Sequence, residues 1–192
     1  ARRVVNLGAM ACTGAKVLST KLLTPGILAA GLALGACGEG SGAATPEGGG
    51  KHPLVGNPAP SFEVDSLNGQ GKVSLDKWKG KVVYVDFWAT WCEPCKKSFP
   101  KIQELYTKYK GQVEVVGISE DDESSGIKEF GEQFGAKFPL GWDKGKEIAA
   151  KWQPKSMPAS FVVDKQGVVR FVHLGYHDGE EAEIEKEIKS LL

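Results

Sequence analysis

An α/β domain is predicted over residues 54–192: a mixed central sheet with helices on both sides, opened by a β-hairpin and carrying a helical insert near 120–135. Three observations predict it. The run Val82-Val83-Tyr84-Val85-Asp86-Phe87-Trp88-Ala89 is almost wholly apolar and rich in β-branched and aromatic residues, the texture of a buried strand. Behind it, Phe99, Ile102, Leu105, Tyr106 and Tyr109 recur at helical spacing, and 113–118 is again a β-branched run. Strand, helix and strand in that order make a βαβ unit with parallel pairing.

The elements follow in chain order. Ser61-Phe62-Glu63-Val64 and Lys72-Val73-Ser74-Leu75 alternate apolar and polar around Asn68-Gly69, which reads as a hairpin. Lys81–Trp88 is the central strand and 95–109 the first helix, with a kink expected at Pro100. Val113–Ile118 is the second buried strand. Ser124–Phe134 and Glu147–Trp152 are helices, the first with Ile127, Phe130 and Phe134 on one face. Ser160–Val163 and Val168–His173 are strands joined by a tight turn at Asp164-Lys165-Gln166-Gly167. Glu180–Leu192 closes the chain as a helix with Ile184, Ile188 and Leu191 on its apolar face.

Ahead of the domain the composition changes. Residues 22–36 are mostly Leu, Ala and Gly, with Lys16 and Lys21 before them. A membrane span needs about 20 apolar residues, so this shorter run fits the apolar core of a secretory signal. Four glycines and prolines in it make a poor core helix. Leu34-Gly35-Ala36-Cys37 looks like a bacterial lipobox. That likeness implies a lipoprotein signal over 1–36, cleavage before Cys37 and lipid on its sulfur. Met10 would open a leader of ordinary length, and Cys12 would leave with it. Residues 37–53 are Gly-rich and lack apolar periodicity, so they read as a flexible tether. A tether of that length has a root-mean-square reach of about 20–25 Å. One lipid-bearing end would anchor the protein without spanning the membrane.

Charge excludes some functions. Lys plus Arg and Asp plus Glu each number 24, with no basic cluster, which argues against a nucleic-acid partner. Four cysteines are too few for a disulfide scaffold. Two of them carry the chemistry. In Trp91-Cys92-Glu93-Pro94-Cys95 the cysteines are one helical turn apart, at a strand end that feeds a helix start. Free backbone N–H groups and the helix dipole there favour a thiolate, so the Cys92 pKa is expected below the ordinary value of about 8.5. Cys92 then attacks a disulfide, and Cys95, one turn deeper, resolves the mixed disulfide. Lys96 and Lys97 add charge to the first turn but read as a solvated face. The competing reading is a zinc half-site. Structural zinc wants four Cys or His ligands, and the chain offers no second cysteine pair. His52 falls in the tether, and His173 and His177 stand apart near the C-terminus. No metal or other cofactor is expected beyond the redox-active Cys92–Cys95 disulfide.

The stretch Val85-Asp86-Phe87-Trp88-Ala89-Thr90-Trp91-Cys92-Glu93-Pro94-Cys95-Lys96-Lys97 resembles the thioredoxin-fold proteins of the TlpA/ResA family, membrane-tethered thiol–disulfide oxidoreductases with a redoxin (AhpC/TSA-like) domain. The resemblance extends over about residues 54–192. It implies a thioredoxin-like fold, with the extra N-terminal hairpin and the insert as family features. It implies that the Met157-Pro158 bond is cis and faces the cysteines, leaving the Met157 backbone free to pair with an extended substrate. Trp91, Glu93 and Pro94 would complete the substrate-facing surface. Asp86 matches the buried aspartate of thioredoxin, which helps move the proton of the deeper cysteine. Close TlpA/ResA relatives often have asparagine there, so this chain departs from them. Burial among Val83, Val85, Phe87 and Trp88 should raise the Asp86 pKa, and Asp86 is expected to be the base for Cys95. The family often keeps a glutamate near the insert, and Glu120 is the matching candidate within Glu120-Asp121-Asp122-Glu123.

The function these readings imply is thiol–disulfide exchange outside the cytoplasm. The protein would be lipid-anchored and monomeric, would reduce disulfides of exported proteins such as apocytochrome c, and would draw electrons from a membrane donor. Two alternatives stand beside it. A peroxiredoxin-like peroxidase shares the hairpin, but its Pro-x-x-x-Thr-x-x pattern would put threonine farther from the cysteine than Thr90 is from Cys92. A tethered, non-catalytic binding domain would use the groove at Met157-Pro158 and has no need of the cysteine pair.

Overall fold

A computed structural model describes residues 52–192. The predicted leader, Cys12, Cys37 and nearly all of the predicted tether lie outside the described residues. No helix among the described residues is long and apolar enough to cross a membrane.

Two strands, β1 (Glu63–Asp65) and β2 (Lys72–Ser74), pair antiparallel as the predicted hairpin. The main sheet has β3 (Val82–Trp88) at its centre, with β4 (Val113–Ser119) parallel on one side. On the other side lie β6 (Ala159–Val163) and then β7 (Val169–Leu174), both antiparallel to their neighbours. Beyond β4 comes β5 (Leu140–Trp142), which gives the order β5-β4-β3-β6-β7. Among the described residues, α1 (Glu93–Lys108), α2 (Ile127–Gln133) and α3 (Glu147–Trp152) connect these strands, and α4 (Glu180–Leu191) follows β7.

The strand β5 corrects the predicted order. Leu140-Gly141-Trp142 is too short to show alternation, and it becomes a strand because Gly117–Ser119 of β4 offers a free parallel edge. Gly141 is also where the hairpin docks. A Cβ there would stand 2.4 Å from a Val64 methyl, so only glycine lets β1 approach β5 this closely. The helix predicted from Ser124 begins later, after Gly126 at φ 86°, because that left-handed residue turns the chain into α2. Helix α1 continues through Pro100.

Strand β3 is buried along its whole length and parts its side chains between two cores. Val82, Tyr84 and Trp88 face α1 and α4, packing with Phe99, Ile102, Ile184 and Ile188. Val83, Val85 and Phe87 face the hairpin and α3, packing with Phe62, Trp152 and Phe161. Period-two alternation on one strand builds both layers. His52, assigned by sequence to the tether, is buried in the second layer. Its Nε2 lies 3.0 Å from the Gln153 carbonyl, and its ring packs edge-on to Phe161.

Candidate active site

The cysteine pair sits at the carboxyl end of β3. Past Trp88 the chain makes one turn, closed by the Cys92 N–H donating to the Ala89 carbonyl at 3.1 Å. Cys92 is then the N-cap of α1, and its sulfur accepts the Cys95 N–H at 3.2 Å. Pro94 fits the first helical turn because the N–H it lacks would have no partner inside the helix. Cys92 and Cys95 are joined by a disulfide, with their Cα atoms 5.3 Å apart. Cys95 is fully buried and Cys92 nearly so, whereas Trp91 beside them is 68% exposed. Glu93 and Pro94 are also exposed, and Lys96 is paired with Glu93 at 2.6 Å.

The peptide bond between Met157 and Pro158 is cis. Met157 packs against the same core layer as Cys92 and Cys95. Pro158 is buried and leads directly into β6.

Asp86 is 1% exposed. Its neighbours in register are Gly117 of β4 and Ser160 of β6, and Ser160 in turn pairs with His173 of β7. This polar row crosses the face covered by α1, the helix that carries Cys95. Burial, and then the negative charge of Glu180, push the Asp86 carboxyl well above the usual carboxylate range. Its Oδ2 has no hydrogen-bond partner among the described residues. A buried carboxylate in this condition is disposed to take up a proton from a transient partner and hold it.

The rest of the row is also ionisable. His173 Nε2 is 2.7 Å from Glu187 Oε2, with both side chains largely buried. Burial is the largest influence on His173 and opposes its charge, but the bond to Glu187 together with the charges of Glu187, Glu180 and Glu183 outweighs it and raises the imidazole above its ordinary value. Sequence reading left His173 isolated, because its partner lies on α4 and no local spacing announces it. Tyr84, on the same face of β3 as Asp86, is pushed well up by burial and then by the Asp86 charge.

Glu120 is half-buried, and its N–H donates to the Trp88 carbonyl at 2.8 Å. Burial, followed by repulsion from Asp143, raises its carboxyl, while Lys146 opposes the rise. The residue joined to the active-site turn is its neighbour Asp121, which is buried and bonded to Thr90. Alternation contained that signal. Ser119 pairs in register with Trp88 and so shares its face, and continuing the period of two places Asp121 there and Glu120 opposite.

Comparison with known proteins fits this geometry. The sequence pattern of the AhpC/TSA family matches residues 55–172. The chain belongs to that family. It is 40% identical over 130 residues to thiol-disulfide oxidoreductase ResA of Bacillus anthracis, covering 67% of this chain and 75% of that one. It is 33% identical over 138 residues to ResA of Geobacillus kaustophilus, covering 71% and 78%. Among solved structures it resembles a DsbF homologue from Corynebacterium diphtheriae, with TM-score 0.63 and 28% identity over 70% of this chain and 87% of the other. This AhpC/TSA-family domain has the thioredoxin-like fold and is a thiol–disulfide oxidoreductase built around Cys92 and Cys95.

Proposed function

We propose that the protein reduces disulfides of exported proteins, apocytochrome c among them, by dithiol exchange. The observation that carries this reading is the arrangement of Cys92 and Cys95: one sulfur caps α1 beside exposed Trp91, the other is fully enclosed on the face that holds Asp86. The Cys92 thiolate attacks a substrate disulfide, forming a mixed disulfide and releasing one substrate thiolate. The Cys95 sulfur then attacks Cys92, passes its proton to Asp86 and frees the second substrate thiolate. A membrane donor restores the dithiol. Trp91, Glu93, Pro94 and the Met157 backbone before Pro158 receive the substrate chain. Glu120, with its raised carboxyl, is a second acid–base candidate near the end of β4.

The signal-like sequence 1–36 and the lipobox ending at Cys37 support an extracytoplasmic, lipid-anchored protein with the domain beginning near residue 54. Similarity to proteins named thiol-disulfide oxidoreductase ResA supports dithiol–disulfide exchange as the reaction. Thiol–disulfide proteins with this kind of pair range from about −270 to −120 mV, so potential decides direction.

The test is capture. The Cys95→Ser variant should accumulate mixed disulfides with exported proteins in cells, resolved by diagonal gels and identified by mass spectrometry. Peroxide consumption by the wild type without disulfide reduction, or an empty trap, would overturn the reading.

A further inference from the structure

One buried carboxylate is tied to the turn that delivers Cys92. Asp121 is 7% exposed. Its Oδ2 accepts the Thr90 backbone N–H at 2.9 Å and the Ser119 hydroxyl at 2.7 Å. Its Oδ1 accepts the Thr90 hydroxyl at 2.7 Å and lies 3.2 Å from the Thr90 nitrogen. The backbone of Asp121 is held as well. Its N–H donates to Ser119 Oγ at 3.1 Å, and its carbonyl accepts the Trp142 indole N–H at 2.8 Å. Asp121 therefore joins the carboxyl ends of three parallel strands: β3 through Thr90, β4 through Ser119 and β5 through Trp142.

Thr90 is the second residue of the turn Ala89–Cys92, and the carboxylate takes both its donors. On the far side of the turn, the Cys92 sulfur accepts the Cys95 N–H. Where the turn lies decides whether that N–H meets the sulfur, and an N–H aimed at a thiolate lowers its energy. We propose that Asp121 is the positioning residue of the active-site turn, holding the Cys92 sulfur against the Cys95 N–H of α1 and thereby setting how readily Cys92 ionises. This rests on Cys92 being the attacking thiol.

Geometry and charge predict opposite signs, so the proposal can be broken. As a bare negative charge, Asp121 would disfavour a nearby thiolate, and its removal would favour ionisation. As a clamp, its removal frees the turn and disfavours ionisation. The experiment titrates the Cys92 thiolate by ultraviolet absorbance in reduced protein and measures its attack on a small-molecule disulfide across pH. Asp121→Ala should raise the Cys92 pKa and slow attack at neutral pH about ten-fold, the effect of roughly one pKa unit on the thiolate fraction. Asp121→Asn keeps an acceptor for Thr90 without the charge and should return the rate to within about two-fold of wild type. Thr90→Val removes only the hydroxyl bond, so it serves even where Asp121→Ala does not fold. It should shift the titration in the same direction by a smaller amount.

Equal acceleration by Asp121→Ala and Asp121→Asn would overturn the proposal in favour of charge. An unshifted titration in Thr90→Val and Asp121→Ala, with only a lowered unfolding midpoint, would overturn it in favour of stability alone. Failure of wild-type Cys92 to react at all would instead strike the proposed function, so the two failures are distinguishable.

Discussion

The two faces of β3 come from one seven-residue strand and have opposite characters. Val83, Val85 and Phe87 point into a layer dominated by aromatic contact. Phe161 touches Phe87, Trp152 and His52 there, with ring centroids 5.1–5.6 Å apart. Tyr84, Asp86 and Trp88 point the other way, onto a layer shared with Cys95, Ser160, His173 and Glu187. Isolated acids are excluded from protein interiors by several kcal/mol, yet this second face keeps one whose Oδ2 has no partner among the described residues. The lesson is a division by residue parity: one face packs apolar and aromatic side chains, and the other carries a buried polar row in the layer that also holds both cysteines.

The largest expected effect tests the stabilising face. Phe161→Ala should cost about 3–5 kcal/mol in denaturant unfolding. The folded fraction should still reduce a small disulfide at close to the wild-type rate. A collapse of the rate in fully folded variant would show that the two faces are not separable.

Asp86→Asn tests the other face. Resolution of the mixed disulfide should slow roughly ten- to a hundred-fold, read by stopped-flow after trapping on Cys92. Unchanged resolution across pH would remove Asp86 from the mechanism. Stability should move in the opposite sense. In the wild type the unfolded chain ionises near pH 3.9 while the folded carboxyl still holds its proton. Stability therefore declines as pH rises from the unfolded value to the raised folded one. The amide has no such decline, so Asp86→Asn should be the more stable protein at neutral pH and above.

The smallest expected effect concerns the edge of the polar row. His173→Gln should cost about 1–3 kcal/mol at about pH 6, where the ion pair with Glu187 is intact. The imidazole is raised in the folded protein, so the contribution is complete below about pH 6.5 and fades as pH climbs through the folded value. Urea midpoints of wild type and variant should converge at alkaline pH. A constant gap would mean that His173 acts by packing alone.

How much of this was legible beforehand follows from range. Elements whose signal is local were readable: the apolar run of β3, the helical spacing behind Cys95, the closing helix. The burial of Asp86 was readable too, because its strand neighbours are all apolar. Pairings made only on folding were not. Leu140–Trp142 has no pattern of its own, and His173 meets Glu187 across a loop and half of α4. His52 looked like tether because Gly-rich sequence precedes it, yet Gln153, 101 residues later, is its partner.

Trp91 carries a kinetic consequence. Its indole stands in solvent one residue before the sulfur that is attacked and released. A partner chain that buries this indole does so on arrival and again, unchanged, before departure. Such contact strengthens the hold on disulfide and dithiol partners alike and adds nothing to the exchange itself. On the proposed substrate surface the indole would therefore speed capture at low partner concentration and delay release at high concentration.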